Sequence, residues 1–497
     1  MEDTVKKFKE HLKKMDAYNH ALGVLNYDSV TAMPSGGSRH LGETLGYLSG
    51  ESYKLMTDAS FKEWIQEILA HKEAVDTVTF REAEELNEQM ERTEKIPMEE
   101  FVAYQVELNE ASAVWHKAKL ANDYASFAPH LDKLVAFTKK FAAYWNPAKP
   151  AYDVLLDQYE KGLSKETLDT FFACLKKELV PLIKQIGAAE QIEDGFAHKS
   201  VPIENQRRLS DYLMSVMTID REYCSIGETE HPFTTNFTKE DVRITTHYHE
   251  TDMFSNMFSV IHEGGHALYE LHTGDNLKGS PLGTGASMSI HESQSRFYEN
   301  IIGRSEPFIR LIYPEIVKTA PEVFAGVSVE ELYRAANISR PSLVRTEADE
   351  LTYPFHIMIR YDIEKELIEG SLTAKDVPAL WNRLYKEYLG VDVPNDTEGA
   401  LQDSHWSGGM FGYFPSYALG SAYGAQMLAR MQQDIPVWEN VAKGDLKPIV
   451  AWLTEKIYQY GQLLRPDELI LNACGAPFDP MYYVRYLKEK YSALYHL

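Results

Sequence analysis

The segment His262-Glu263-Gly264-Gly265-His266 places two imidazoles and a carboxylate within one helical turn. On a helix, residues four apart share a face, so both imidazoles can reach one metal ion. Glu263 then lies beside that ion, placed to take a proton from a water on it. The chemistry open to such a trio is metal-assisted hydrolysis. Phe254, Met257, Phe258, Ile261, Leu268 and Leu271 recur at spacings of three and four and supply the apolar stripe of the helix. Gly264 and Gly265 work against it, each costing on the order of 1 kcal/mol in a helix interior. The pair makes sense where another backbone or a substrate comes close, and two surface histidines on an amphipathic helix would not need it.

A catalytic zinc takes three protein ligands and keeps a position open. His272 follows His262 at the spacing of H-E-x-x-H-x-x-G-x-x-H, yet Tyr269 stands where that pattern needs Gly to turn the chain back. Glu270 lies one turn past His266 and about two turns from His262, so it reaches poorly. Glu292, in His291-Glu292-Ser293-Gln294, belongs to a second helical stretch after the turn-rich Gly279-Ser280-Pro281-Leu282-Gly283. A helix, a return loop and a second helix bearing Glu is the gluzincin arrangement, which favours Glu292 as the third ligand.

The elements that must hold these groups are mostly helices. Phe101, Tyr104, Leu108 and Ala111 recur at helical spacing, as do Leu168, Phe171, Phe172 and Leu175. Pro97 opens a helix, and Gly303 follows a run ending at Ile302. Alternation with period two is best at Val242, Ile244, Thr246 and Tyr248, a short strand just before the metal segment. With no internal repeat or Ser/Gly-rich linker, residues 1–497 are expected to form one mainly α-helical catalytic domain with a small β element beside the metal site.

Composition narrows the function. Among 497 residues, 44% are hydrophobic and 25% charged, as in ordinary soluble globular proteins. Fifty Lys and Arg against 74 Asp and Glu leave a net charge of −24, which repels phosphate backbones and anionic lipid and excludes nucleic acid and membrane surfaces as partners. No apolar run reaches the ~18 residues of a membrane span. Met1 to Asp16 is Lys-rich without the apolar core of a signal peptide. Cys174, Cys224 and Cys474 are too far apart for a thiolate metal site and odd in number, which fits a reducing, cytoplasmic setting. Gly279 to Gly285 lacks the Lys-Ser/Thr of a phosphate loop, so nucleotide binding is unsupported.

Together with His262, Glu263, His266 and Glu292, further motifs make the chain resemble the carboxypeptidase Taq family of prokaryotic metallocarboxypeptidases. His231-Pro232-Phe233 matches its H-P-F element, Asp241 to Thr245 its D-x-R-x-T, and His291 to Gln294 its H-E-S-Q. Gly399 to Trp406 matches G-x-x-Q-D-x-H-W, and Val344 to Asp349 matches I-R-x-x-A-D with Val for Ile. Leu25 to Asp28 resembles L-x-W-D with Tyr27 in the Trp position. The similarity runs from about residue 20 to the end of the chain.

The resemblance implies a fold like those of angiotensin-converting enzyme and neurolysin, with two helical halves around a deep channel and zinc at its floor. It implies removal of single C-terminal residues with broad specificity, a homodimer, and zinc as the cofactor, for which cobalt can substitute. His405, Tyr413 and Tyr417 follow the zinc segments in the order seen in the related peptidases and are candidates to donate to the tetrahedral oxyanion. An exopeptidase must also bind a free carboxylate, which Arg does bidentately. Arg345 and Arg243 are the motif-borne candidates, with His231 a further residue for the substrate channel. If Arg345 lay on a helix, Asp349 one turn on would be its internal partner. An endo-acting oligopeptidase of the same fold is the alternative reading. A peptide-binding scaffold with structural zinc is disfavoured, because such a site needs no Glu263 and is usually closed by four protein ligands.

Overall fold

The computed structural model describes residues 1–497. The first half of the chain is helical: α1 (Glu2–Thr31), α2 (Ser38–Met56), α3 (Ala59–Ala70), α4 (Thr77–Glu94), α5 (Met98–Ala121), α6 (Tyr124–Trp145), α7 (Ala151–Leu156), α8 (Lys165–Ala188) and α9 (Ile203–Val216). Three short strands follow, β1 (Cys224–Glu228), β2 (Thr234–Thr238) and β3 (Asp241–Thr246), then α10 (Met253–Leu271) and α11 (Met288–Arg296). The remainder is again helical and ends with Met481–Tyr495. The mainly α expectation is met, and so is the position of its β element. That element is larger than one strand: β3 lies at the centre of a sheet of order β1-β3-β2, parallel to β1 and antiparallel to β2.

Two apolar cores form. The main one spans the chain from α5 to the last helix, and Leu168, Phe171, Phe172 and Leu175 of α8 are all buried in it. A separate cluster of nine residues, among them Phe8, Leu12, Phe61, Ile65 and Leu86, holds α1, α3 and α4 together. No side chain of α2 is buried. The C-terminal half of α1 leans on the sheet instead, through Tyr27 against Phe233 and His20 against Phe237.

Helix α10 runs through the main core. Asp252 caps it by accepting from the Ser255 amide at 3.0 Å, and Met257, Phe258, Val260, Ile261 and Leu268 are buried on several sides, as a central helix requires. Ser287 caps α11, accepting from the Ile290 amide at 3.1 Å. The chain then continues as a π-helical stretch, Phe297–Gly303, a form found mostly as single turns and frequently at functional sites.

Candidate metal centre and peptide site

Glycines set the distance between the helices that carry the cluster. A Cβ at Gly265 would lie 2.6 Å from the carbonyl oxygen of Gln294, so α10 can meet α11 only without one. A Cβ at Gly420, on the helix Pro415–Asp434, would lie 2.8 Å from Cβ of Glu292. Helix α11 is thus pressed from both sides, and Glu292 is driven toward α10. The cost of two glycines in α10 is explained at Gly265 by an approaching backbone, and at Gly264 by the Met217 and Ile219 side chains.

The result is a three-donor cluster. His262, His266 and Glu292 have ligand atoms within 4.8 Å of one another. Glu292 Oε2 is 3.8 Å from Nε2 of His262 and 3.6 Å from Nε2 of His266. Two imidazole nitrogens and one carboxylate oxygen, with a free coordination position, are the donor set of a catalytic zinc site, so these residues fit the ion. His272 is not in the cluster: its Nδ1 lies 2.8 Å from the Leu268 carbonyl and its ring sits against Tyr458. Glu270 is outside it as well, 2.7 Å from Nε2 of His291.

Each member is held from behind. Nδ1 of His262 lies 2.9 Å from Glu299 Oε2, and Nδ1 of His266 lies 2.5 Å from Nδ1 of His291. Arg296 donates to Glu292 at 2.7 Å and to Glu299 at 3.3 Å, while Arg304 donates to Glu299 at 3.1 Å. The carboxylate of Glu263 accepts from the Thr234 hydroxyl on β2 at 2.6 Å.

Burial and charge divide the titration of these groups. Burial lowers His266 to about 3. It acts the same way on His262, but the hydrogen bond with Glu299 and the charge of Glu292 outweigh it, so that ring is raised. Burial raises Glu263 above the usual carboxylate range. It pushes Glu292 and Glu299 the same way, and there Arg296 prevails and holds both well below that range.

A second cluster forms around Asp403. Arg345 occupies a 3₁₀ turn, Arg345–Glu347, rather than a helix, and its partner is Asp403 rather than Asp349. Its Nε and Nη2 are each 2.9 Å from Asp403 Oδ1, and Nη1 is 3.1 Å from the Tyr353 hydroxyl. Asp349 instead accepts from the backbone amides of Arg340, Leu351 and Thr352. Arg360, fully buried, takes the other oxygen of Asp403 through Nε at 2.8 Å and Nη2 at 2.7 Å. Gln402 Oε1 accepts from Arg360 Nη2 at 2.6 Å and from the Arg345 amide at 3.0 Å. Two sequence motifs far apart in the chain therefore close on each other.

His405 Nε2 lies 3.3 Å from the Tyr417 hydroxyl, and the Tyr413 ring stands edge-on to Tyr417 at 5.1 Å. Burial lowers His405 to about 4, so its imidazole is neutral near pH 7. Tyr353 joins the two clusters, with its hydroxyl on Arg345 and its ring under the Arg296 guanidinium at 4.4 Å. Arg243 commits its fork to Asp241 at 2.7 and 2.8 Å and lies over the Tyr27 and Phe237 rings, fastening α1 to the sheet. His231 is exposed in the turn between β1 and β2, where its carbonyl accepts from Thr229. Neither belongs to the Asp403 cluster.

Reading the sequence missed Thr234, Arg296, Glu299, Tyr353, Arg360 and Asp403 as site residues. Thr234 directly follows the H-P-F element and Asp403 sits inside G-x-x-Q-D-x-H-W, so both were within reach. Glu299 had no such signal.

The chain matches the profile described as Carboxypeptidase Taq (M32) metallopeptidase over residues 7–491. It is 40% identical to Carboxypeptidase 1 of Bacillus subtilis over 494 residues, 99% of each chain. It is 35% identical to Thermostable carboxypeptidase 1 of Pyrococcus furiosus over 498 residues, 98% of each chain. The crystal structure of the M32 carboxypeptidase from Deinococcus radiodurans superposes with a TM-score of 0.97 at 31% identity, covering 100% of both chains.

Proposed function

The chain belongs to the carboxypeptidase Taq (M32) family of metallopeptidases, and from that premise we propose that His262, His266 and Glu292 hold a zinc ion at which Glu263 drives removal of single C-terminal residues from peptides. The reaction class is metal-dependent peptide hydrolysis by a carboxypeptidase. The observation that carries the residue assignment is the meeting of the three donor atoms beside a buried carboxylate held by Thr234.

When bound, the ion supplies Lewis acidity, making a nucleophile available near neutral pH and polarising the scissile carbonyl. Glu263 accepts the proton of the attacking water and delivers it to the leaving amine. With His405 Nε2 donating to the Tyr417 oxygen, the phenol proton of Tyr417 is free to point at the developing oxyanion, and Tyr413 stands alongside as a second donor. Neutral His405 carries a single N–H, and this role places it on Nε2.

Arg345 receives the substrate's terminal carboxylate. Asp403 takes one side of its fork, and the positive charge left over from two guanidiniums on one carboxylate favours an anion there. We propose Arg243, held by Asp241, and the exposed His231 as secondary substrate contacts beside the sheet. Zinc, replaceable by cobalt, fits the two-imidazole, one-carboxylate set. Free Cys174, Cys224 and Cys474 support a cytoplasmic setting, and the family resemblance supports a homodimer.

Product analysis on one unblocked peptide, with and without a chelator, tests the reading. A ladder of products each one C-terminal residue shorter, abolished by chelator and restored by zinc, is expected. Internal fragments would replace it with an oligopeptidase, and cleavage indifferent to chelator would remove the metal role.

A further inference from the structure

Glu270 lies outside the metal cluster, yet it ends a hydrogen-bonded chain that leads into it. Its Oε1 lies 2.7 Å from Nε2 of His291, and Nδ1 of His291 lies 2.5 Å from Nδ1 of His266. The remaining capacity of Glu270 is filled by the Asn236 amide at 2.7 Å, the Thr284 hydroxyl at 2.7 Å and the Gly285 amide at 3.2 Å. Every one of these partners is a donor, so the carboxylate has only acceptor positions to offer His291. His291 must then place its ring proton on Nε2, which leaves a lone pair on Nδ1. That lone pair can be met only by a proton on Nδ1 of His266. The lone pair of His266 is thereby fixed on Nε2, the atom 3.6 Å from Glu292.

The surroundings are built to hold the His291 ring in this place. A Cβ at Gly285 would lie 2.5 Å from Cδ2 of His291, so the loop after the turn-rich segment can press on the imidazole only as glycine. Tyr269 packs beside the ring at 5.2 Å, and its hydroxyl accepts from the Ala286 amide at 3.0 Å, pinning the same loop. On β2, Asn236 reaches Glu270 from the strand face that sends Thr234 to Glu263, because side chains two apart point the same way. A ring steered on three sides has a defined orientation to pass on.

We propose that Glu270 and His291 are positioning residues for the metal: through two successive hydrogen bonds they fix the tautomer and ring orientation of His266, and so set how tightly the cluster holds its ion. The inference rests on the assignment of His262, His266 and Glu292 as ligands. It differs from the backing of His262, which a carboxylate contacts directly. Partners that orient a ligand imidazole are worth about 10–100-fold in metal affinity.

The test is zinc affinity of the full-length apoprotein, measured by competition with a chromophoric chelator and accompanied by melting curves of the apo forms. Glu270→Met removes both acceptor oxygens at nearly the same length, whereas Glu270→Gln keeps Oε1 toward Thr284, Gly285 and His291 and so preserves the constraint. His291→Phe removes the relay, and His291→Gln restores an acceptor and a donor on a flexible arm. Zinc affinity is expected to fall about 10–100-fold in Glu270→Met and His291→Phe, to stay near wild type in Glu270→Gln and to recover partly in His291→Gln. Wild-type zinc affinity in a folded Glu270→Met or His291→Phe would overturn the proposal, and so would a loss in folded Glu270→Gln as large as in Glu270→Met. Glu292→Ala, measured alongside, separates the two ideas: if it too retains zinc the ligand assignment fails, and if it alone loses zinc only the relay fails.

Discussion

Around the metal cluster, four buried carboxylates, Glu263, Glu270, Glu292 and Glu299, stand with two guanidiniums, Arg296 and Arg304. Around Asp403 the balance reverses, with two guanidiniums, Arg345 and Arg360, sharing one carboxylate. Tyr353 stands between them, its ring under Arg296 and its hydroxyl on Arg345. The first region keeps negative charge uncompensated among its fixed partners, and the second keeps positive charge. An ion pair buried with both partners satisfied often adds little to stability. What these incomplete sets provide is a preference: one end is arranged for a cation and the other for an anion. In the proposed function those are the metal and the free end of the peptide.

Four experiments can break or sharpen that contrast. The largest effect belongs to the cation end. Glu292→Ala should lose its metal and with it essentially all activity, whereas Arg345→Ala and His272→Ala should retain a full complement by elemental analysis of the purified proteins. Metal loss in His272→Ala with retention in Glu292→Ala would reverse the ligand assignment, and loss in Arg345→Ala would erase the distinction between the ends.

Next in size is Glu263→Gln, which keeps shape and ligands but removes the proton acceptor. Metal content should stay near normal while kcat falls at least ~10²-fold, the lower range of a general-base contribution. Substantial turnover in a metal-replete mutant would dismiss the role of Glu263.

The anion end is probed by the substrate. Amidating the peptide's C-terminus should nearly stop cleavage, and Arg345→Ala should lower kcat/KM for the free peptide by roughly 10–100-fold, as charge-assisted hydrogen bonds of about 1.5–3 kcal/mol imply. The same mutation should erase most of the discrimination against the amide. Strong discrimination that survives it would transfer the receptor role to Arg243.

The smallest effect is on acid stability. Burial works to raise Asp403, but Arg360 and Arg345 outweigh it and hold the carboxyl well below its ordinary range. A carboxyl whose folded value is depressed contributes stability above its unfolded value of about 3.9 and loses it as the pH falls below. Urea midpoints should therefore drop on acidification below about pH 4, and Asp403→Asn should flatten that limb by up to about 1.4 kcal/mol per pH unit. An unchanged acid limb would mean that Asp403 is not the anchor of the two guanidiniums.

The two ends also differed in how far the sequence exposed them. His262, Glu263 and His266 lie within one turn, so helical spacing alone brings them together, and Glu292 needed only a return loop. Asp403 meets Arg345 across 58 positions of chain, and the local partner that helical spacing offered, Asp349, is turned to backbone amides instead. Strand β3 showed its alternation because one face is buried in the core. β2 did not, because Thr234 and Asn236 on one face serve Glu263 and Glu270 rather than an apolar core. The helical fold was readable from apolar stripes such as that of α8. The closeness of α10, α11 and the helix Pro415–Asp434 was hinted at only by glycines whose neighbours the sequence could not name.

The absence of any buried side chain in α2, and the small separate core that holds α1, α3 and α4, have a consequence for local stability. Segments with few buried apolar contacts open at free energies far below that of global unfolding. The amides of α2 should accordingly exchange with solvent, and its backbone meet proteases, through excursions that leave the main core shut. The far half of α1 is different, because Phe233, Phe237 and Arg243 tie it to the strand that carries Thr234. An excursion that lifted this half would uncover the strand supporting Glu263 while its pairing with β3 stayed closed. The N-terminal helices thus divide into a part that can breathe freely and a part packed on the sheet beside Glu263.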